Sequence, residues 1–265
     1  VTDAPAETRG RAEPGRWPGS GGWAELSAPA KLTVSLKITG VRDDGYHLID
    51  AEMVTLDLVD TLSFGPGDDL ETVLDGPARL GLPVGDGPDN LIRRALAAVG
   101  RSASVRVVKR IPAGAGLGGG SSDAAAVLRW AGRTRADDLG LAVGLGADVP
   151  FCVRGGRARV TGIGEVLEPL PHLDRTFTLV LPPFGVSTPA VYRAWDRLGG
   201  PRSDHGNDLE AAALEVEPRL GPWRDRLGDH TGLRPTLAGS GSTWFCEGSH
   251  PGEGFVVVRT VGPTP

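Results

Sequence analysis

The sequence predicts an α+β protein, and three observations carry that prediction. Alternating, strand-like segments dominate up to about residue 168, and mixed strands and helices follow. No regular βαβ alternation runs through the chain. Over 265 residues, 40% hydrophobic and 23% charged side chains describe a globular chain with material for two ordinary domains. The expected boundary lies near Pro169–Pro171, giving domains at 27–168 and 169–265.

Residues 1–26 are rich in Pro, Gly and charge without periodicity and read as a flexible extension. Order begins at SAPAKLTVSLKI. There Ala28, Ala30, Leu32, Val34, Leu36 and Ile38 alternate with Pro29, Lys31, Thr33, Ser35 and Lys37, a period-2 strand. The turn VRDDGYH leads to a second strand, AEMVTLDLVDTLSF. Asn90 to Val99 has helical spacing and stops at Gly100, and ASVRVVKRI is a further strand. Ala124, Val127, Leu128 and Ala131 form one helical stripe, with Gly132 as terminator. A shorter helix, DDLGLAVGL, precedes GADVPF. RARVTGIGEVLEPL and TFTLVLPP read as strands, and Val191, Trp195 and Leu198 mark a helix face. Asn207 and Glu210 have the spacing of a capping box, and Pro218 should kink or restart that helix. The strands PTLAG, STWFC and GFVVVRT close the chain before a short tail, GPTP.

Several classes are disfavoured. A net charge of −5 offers no reason to expect a nucleic-acid backbone as partner. No apolar stretch approaches the ~20 residues that span a bilayer, so no membrane partner is expected. Cys152 and Cys246 stand far apart, in no metal-ligand spacing and too few for a disulfide framework. The N-terminal stretch lacks the basic-then-apolar layout of a signal peptide, so a reducing cytoplasm is the expected compartment.

The informative stretch is IPAGAGLGGGSSDAAAVL, residues 111–128, with glycines at 114, 116, 118, 119 and 120 just before a helix. Glycines allow positive φ and close approach of backbone to a ligand, and a helix N-terminus favours an anion, most often phosphate. A bare turn would not call for so many. The nucleotide-triphosphatase loop needs Gly-Lys-Ser/Thr, whereas Ser121 and Ser122 follow Gly120 here. The dinucleotide pattern G-x-G-x-x-G matches formally at Gly114, Gly116 and Gly119, with Asp137 and Asp138 further on. A glycine-rich run satisfies many such templates.

Three blocks in order, SAPAKLTVSLKITGVRDDGYH, PAGAGLGGGSSD and LAGSGSTWF, resemble the GHMP kinases (galactose, homoserine, mevalonate and phosphomevalonate kinases). The A-P-A-K opening, the D-G-Y-H turn, LGADVPF at 145–151 and PPFGVST at 182–188 look like one branch of them. That branch is the 4-diphosphocytidyl-2-C-methyl-D-erythritol kinases of the non-mevalonate isoprenoid (terpenoid) pathway. The resemblance spans roughly residues 27–260. It implies a ribosomal-protein-S5-like, ATP-binding N-terminal domain and a ferredoxin-like C-terminal domain. It also implies a monomer or weak homodimer in which ATP with Mg²⁺ phosphorylates the 2-hydroxyl of a cytidine-diphosphate-linked methylerythritol.

The same resemblance distributes roles. Alone, Lys31 would read as a solvated strand lysine; the resemblance makes it catalytic, since phosphoryl transfer needs cations beside the transferring oxygens. Asp148 reads either as a turn aspartate bonding its own backbone or, by the resemblance, as the base for the acceptor hydroxyl. The nucleotide falls to Asn90 and to Pro112, Ala113, Gly114, Ala115, Gly116, Leu117, Gly118, Gly119, Gly120, Ser121 and Ser122. Asn90 is equally a helix cap, and Ser121, Ser122 and Asp123 are natural caps for the helix they open. The acceptor falls to Thr33, Tyr46, His47, Ser187, Thr188, Tyr192, Gly239, Ser240 and Gly241, with Tyr192 stacking on cytosine or packing in the core. Metal ligands are not identified.

Two features depart from the pattern. Thr33 stands where the family usually carries asparagine, and the connection from Gly132 to Gly146 is shorter than expected. Three other readings stay open: another GHMP kinase, a dinucleotide-dependent oxidoreductase, and a catalytically silent nucleotide-binding homologue.

Overall fold

The computed structural model describes residues 23–263. β1 (Ala24–Val41) and β2 (His47–Gly65) form a long antiparallel hairpin. Residues 24–26 therefore belong to a strand rather than to an extension, and residues 1–22 and 264–265 lie outside the described residues. The even positions Ala28, Ala30, Leu32, Leu36 and Ile38 are buried as the alternation predicts, but Lys31 and Thr33 on the opposite face are buried too.

At 19 residues β2 is long enough to share its second edge among three strands. β5 (Arg157–Gly162) pairs with Ile49–Val54, β10 (Phe255–Val261) with Thr55 and Leu56, and β4 (Ser104–Lys109) with Thr61–Gly65. β4 also runs parallel to β3 (Leu70–Leu74), which is joined to it through α1 (Leu91–Ala98). β3 escapes a period-2 reading because all five of its positions are half-buried at a sheet edge. The segment RARVTGIGEVLEPL is not one strand. It folds into β5 and β6 (Val166–Leu170), and the Glu165 carboxylate accepts the Ile163 N–H at 2.6 Å to close the turn.

A second sheet has the order β10–β7–β9–β8, with β7 at Thr176–Val180, β8 at Thr236–Leu237 and β9 at Trp244–Glu247. β10 joins the two sheets. Its Phe255–Arg259 stretch pairs with β7, while Thr260 and Val261 reach β2.

α2 (Gly119–Trp130) packs against β1, α1 and α4 (Val149–Arg154). Every residue from Ser122 to Leu128 is buried, so the single stripe expected from the sequence understates its burial. Alanines at 124–126 let neighbours approach on several sides. α3 (Leu139–Leu145) fills the short connection, and α4 is an unexpected helix with Pro150 in its first turn, where no N–H is needed. α5 (Thr188–Arg197), α6 (Glu210–Val216) and α7 (Leu220–Thr231) complete the chain, with the break at Pro218 as expected. Leu198 is 45% exposed, so Ala194, not Leu198, completes the face of α5 with Val191 and Trp195. α6 opens after Leu209, and the Asn207 side-chain oxygen accepts the Leu209 N–H at 2.9 Å just ahead of it, a capping-type bond as the sequence suggests; its amide supports another loop, described below.

Candidate active site

Between β4 and α2 the chain from Pro112 to Gly120 forms a loop clamped on two sides. The Lys31 N–H donates to the Leu117 carbonyl at 3.0 Å, and the Thr243 N–H and hydroxyl donate to the Ala115 carbonyl at 3.1 and 2.7 Å. Two glycines are dictated by this squeeze. Gly116 has φ +78°, and a Cβ there would lie 2.5 Å from the Gly241 carbonyl oxygen. Gly118 has φ +70°, and a Cβ there would lie 2.7 Å from Lys31 Cγ. The loop thus needs glycine for its own packing as well as for a ligand.

Gly118 is also the N-cap of α2, and no side chain caps that end. The expectation that Ser121, Ser122 and Asp123 cap the helix is therefore corrected. Ser122 turns inward, its hydroxyl 2.6 Å from the Pro29 carbonyl, so it is remote from the loop's open side. Ser121 stays on that side. The first N–H groups of α2 are left facing outward, as at any helix start, and favour an anion.

A cavity of about 580 Å³ opens there, between Pro83–Leu91 and the glycine loop. Its lining includes Asn90 and every loop position from Pro112 to Ser121. Asn90 does cap α1: its side-chain oxygen accepts the Ile92 N–H at 2.9 Å, and its amide donates to the Gly85 carbonyl at 2.8 Å. It thereby fixes the far wall of the cavity. Beneath the loop lies a buried charge cluster that sequence reading missed. Lys109 Nζ donates to Asp123 at 2.6 Å and to Asp60, which also accepts the Arg110 and Ile111 N–H groups. Burial alone would lower the Lys109 pKa, but Asp123 and Asp60 outweigh it and hold the ammonium above its usual range. Burial pushes Asp123 up to about 7 from 3.8; Lys109 opposes that rise and Asp60 adds to it. One Asp123 oxygen, Oδ1, is buried with no hydrogen-bond partner.

A second cavity, about 810 Å³, adjoins the first. Gly116, Gly118 and Ser121 line both. At the junction Lys31 Nζ lies 3.2 Å from Asp148 Oδ2 and donates to the Thr33 hydroxyl at 3.1 Å. Lys31 comes from β1 and Asp148 from the N-cap of α4, where its side chain makes no capping bond. This disposes of the self-bonded turn reading of Asp148. Thr33, the departure from the family pattern, keeps a polar contact to Lys31.

Tyr46 and His47 arrive from the β1–β2 turn, and Thr188 and Tyr192 from α5, to line the rest of this cavity. Tyr46 is 59% exposed, whereas Tyr192 packs both on the core and against His47, with ring centroids 4.7 Å apart. Burial, then the Asp148 charge, pushes the Tyr192 phenol up to about 12, so it remains a neutral donor. Thr188 and Ser240 hydroxyls meet at 2.7 Å across the mouth. Gly239 and Ser240 line the cavity, and the Asn207 amide holds their loop by donating to the Leu237 and Gly239 carbonyls at 2.8 and 2.7 Å. Ser187, at the N-cap of α5, and Gly241, packed on Gly116, stand outside the lining. Arg193 and Asp196 line it and were not anticipated. Their signal was local, since both share the helix of Tyr192, but neither belongs to a motif.

A glycine-loop cavity joined at a lysine–aspartate pair to a larger cavity describes a small-molecule kinase of the GHMP type. The family described as GHMP kinases N terminal domain matches residues 90–156. The 4-diphosphocytidyl-2-C-methyl-D-erythritol kinase of Paracoccus denitrificans is 39% identical over 83% of this chain and 85% of its own. That of Ruegeria pomeroyi is 38% identical over 87% and 90%. A crystal structure of 4-(cytidine 5'-diphospho)-2C-methyl-D-erythritol kinase superposes with a TM-score of 0.65 at 32% identity, over 90% of this chain and all of its own. Homoserine kinase from Cytophaga hutchinsonii, 16% identical with a TM-score of 0.57, shares the fold. The chain belongs to the 4-diphosphocytidyl-2-C-methyl-D-erythritol kinase family. Among the described residues, no helix is long and apolar enough to cross a membrane.

Proposed function

We propose that this protein transfers the γ-phosphoryl group of ATP to the 2-hydroxyl of 4-diphosphocytidyl-2-C-methyl-D-erythritol, within non-mevalonate isoprenoid biosynthesis. The observation that carries this is the Lys31–Asp148 pair, 3.2 Å apart where the two cavities meet. A nucleotide in the smaller cavity presents its phosphates to the glycine loop, and an acceptor in the larger one presents a hydroxyl to Asp148. Asp148 takes the hydroxyl proton, and Lys31 offsets charge on the transferring oxygens. Bringing both reactants to one junction supplies much of the acceleration. We assign the protein to the cytoplasm, as a monomer or weak homodimer.

Mg²⁺ fits this site as a cation carried in on nucleotide phosphates, which needs only one or two protein carboxylates. No cluster of three or more His, Cys, Asp or Glu suited to a metal exists among the described residues. Asp123, which lines the nucleotide cavity and leaves Oδ1 unpartnered, is the carboxylate that would hold the ion. Bound there, it would offset charge on the β- and γ-phosphates.

Acceptor-dependent ADP release tests the assignment, with the cytidyl acceptor set against mevalonate, homoserine and galactose. Turnover on the cytidyl acceptor alone is expected. Turnover on another acceptor would keep the kinase and overturn the substrate; ATP binding with silence on all four would indicate a homologue without the reaction.

Two variants probe the geometry. Gly118→Ala sets a methyl 2.7 Å from Lys31 Cγ and forces a side chain into left-handed φ. Displacing Lys31 in this way should lower kcat about 100-fold, with the folded state retained at a cost of roughly 1–2 kcal/mol. Steady-state kinetics and a thermal melt on the same sample check both. Arg193 is the cation without an ion pair among the described residues lining the acceptor cavity, where Lys31 is engaged by Asp148 and His47 by Asp196. Arg193→Ala should raise KM for a diphosphate-bearing acceptor about tenfold at low salt, less at high salt, with KM for ATP unchanged.

A further inference from the structure

The His47 ring is held on three sides by one helix. Its Nε2 lies 2.7 Å from Asp196 Oδ1, the Tyr192 ring is tilted over it at 4.7 Å, and the Trp195 ring meets it edge-on at 5.5 Å. Trp195 is anchored in turn, its indole N–H donating to the Pro201 carbonyl at 2.9 Å. The His47 side chain is only 9% exposed, while Asp196 is half-exposed at the cavity rim. Tyr192 and Asp196 are four residues apart on α5 and so share a face, whereas His47 opens β2 on the opposite wall. None of this arrangement is used in moving the phosphoryl group or the hydroxyl proton.

A carboxylate only accepts hydrogen bonds, so the proton between Asp196 and His47 belongs to Nε2. In the neutral ring Nδ1 is then an acceptor. No described residue bonds Nδ1, and His47 lines the acceptor cavity. Building on the cytidyl-acceptor reading, we propose that Asp196 is a positioning residue that sets base specificity. It holds the Nε2–H tautomer of His47 and so leaves Nδ1 to accept a hydrogen bond from the exocyclic amino group of cytosine. Uracil presents a carbonyl oxygen at the same place, and two acceptors then face each other. Without Asp196 the ring is free to carry its proton on Nδ1, where it suits the carbonyl.

The test combines a tautomer measurement with a specificity measurement on the full chain. Long-range proton–nitrogen correlation on histidine-labelled protein reads the state of each of the five histidines, with His47→Gln assigning the signal. In the unsubstituted protein at neutral pH, His47 should show a protonated Nε2 and a bare Nδ1; in Asp196→Ala it should show a mixture. Against cytidine- and uridine-linked acceptors, Asp196→Ala should lose about tenfold or more in kcat/KM for the cytidine compound, through KM. The uridine compound should change by no more than about twofold, and Asp196→Glu should recover part of the discrimination. An equal loss on both acceptors would reduce Asp196 to a structural role. Lost discrimination with an unchanged tautomer would mean that Asp196 reads the base itself, and a doubly protonated ring would also overturn the proposal. No turnover by the unsubstituted protein on either acceptor would refute the acceptor assignment instead, while the nitrogen shifts would still decide the Asp196–His47 link.

Discussion

Asp148→Asn is expected to lower kcat about a thousandfold while nucleotide affinity stays within about twofold, since a positioned base contributes on that scale. The amide preserves size but cannot take a proton from an alcohol. It also removes the ionic partner of Lys31, 3.2 Å away, while the Thr33 hydroxyl continues to accept from that lysine. Asp148 lines the acceptor cavity and not the nucleotide cavity, so ATP should still bind. ADP release under saturating substrates gives the first quantity and titration calorimetry with a nonhydrolysable nucleotide the second. Turnover within tenfold of the unsubstituted protein would remove Asp148 from the chemistry.

The largest effect on stability should come from Lys109→Met. Lys109 is 3% exposed and binds two buried carboxylates, Asp60 and Asp123. Methionine fills similar space but strands both acids, and breaking a buried pair in this way costs about 3–5 kcal/mol. Urea denaturation should show it as a lower midpoint, and because Asp123 lies in α2 behind the glycine loop, nucleotide binding should weaken as well. Asp123→Asn should be far milder, since Lys109 and Asp60 remain as a one-to-one pair. A loss under about 1 kcal/mol for Lys109→Met would deny the cluster its structural role.

The same cluster sets a pH dependence with a definite sign. Asp123 is raised from 3.8 to about 7 in the folded protein, chiefly by burial. Between those values the native state keeps a proton that the unfolded chain releases, so stability contributed by this group is present at low pH and lost as pH rises towards 7. Asp123→Asn has no such titration. Its stability relative to the unsubstituted protein should therefore increase from pH 5 to pH 8, and a constant or declining difference would contradict the raised value.

Part of the proposed catalytic junction was legible in the chain before folding. The β1 alternation and the glycine run before α2 are written in local periodicity and short motifs, which depend on neighbours a few residues away, whereas the roles proposed for Lys31 and Asp148 come from the family resemblance. Positive φ at Gly116 and Gly118 belongs to the same local grammar, although its tightest cause, contact with Gly241 and Lys31, does not. Where local pattern was ambiguous, tertiary contact decided. Ser122 looked like a cap and instead bonds Pro29, 93 positions away, and Asn207, whose side-chain oxygen does bond the start of α6, also carries the Gly239 loop, 32 positions on, through its amide. Lys109 and Asp60 are 49 residues apart, and His47 and Asp196 are 149 apart. No periodicity links such pairs. A buried charge must find its counter-charge from whichever strand or helix the packed sheets bring beside it, and a ring at a cavity wall takes its tautomer from the partner on the facing helix. The chain by itself thus determined the strand alternation and the glycine loop, and packing decided which residues meet beside them.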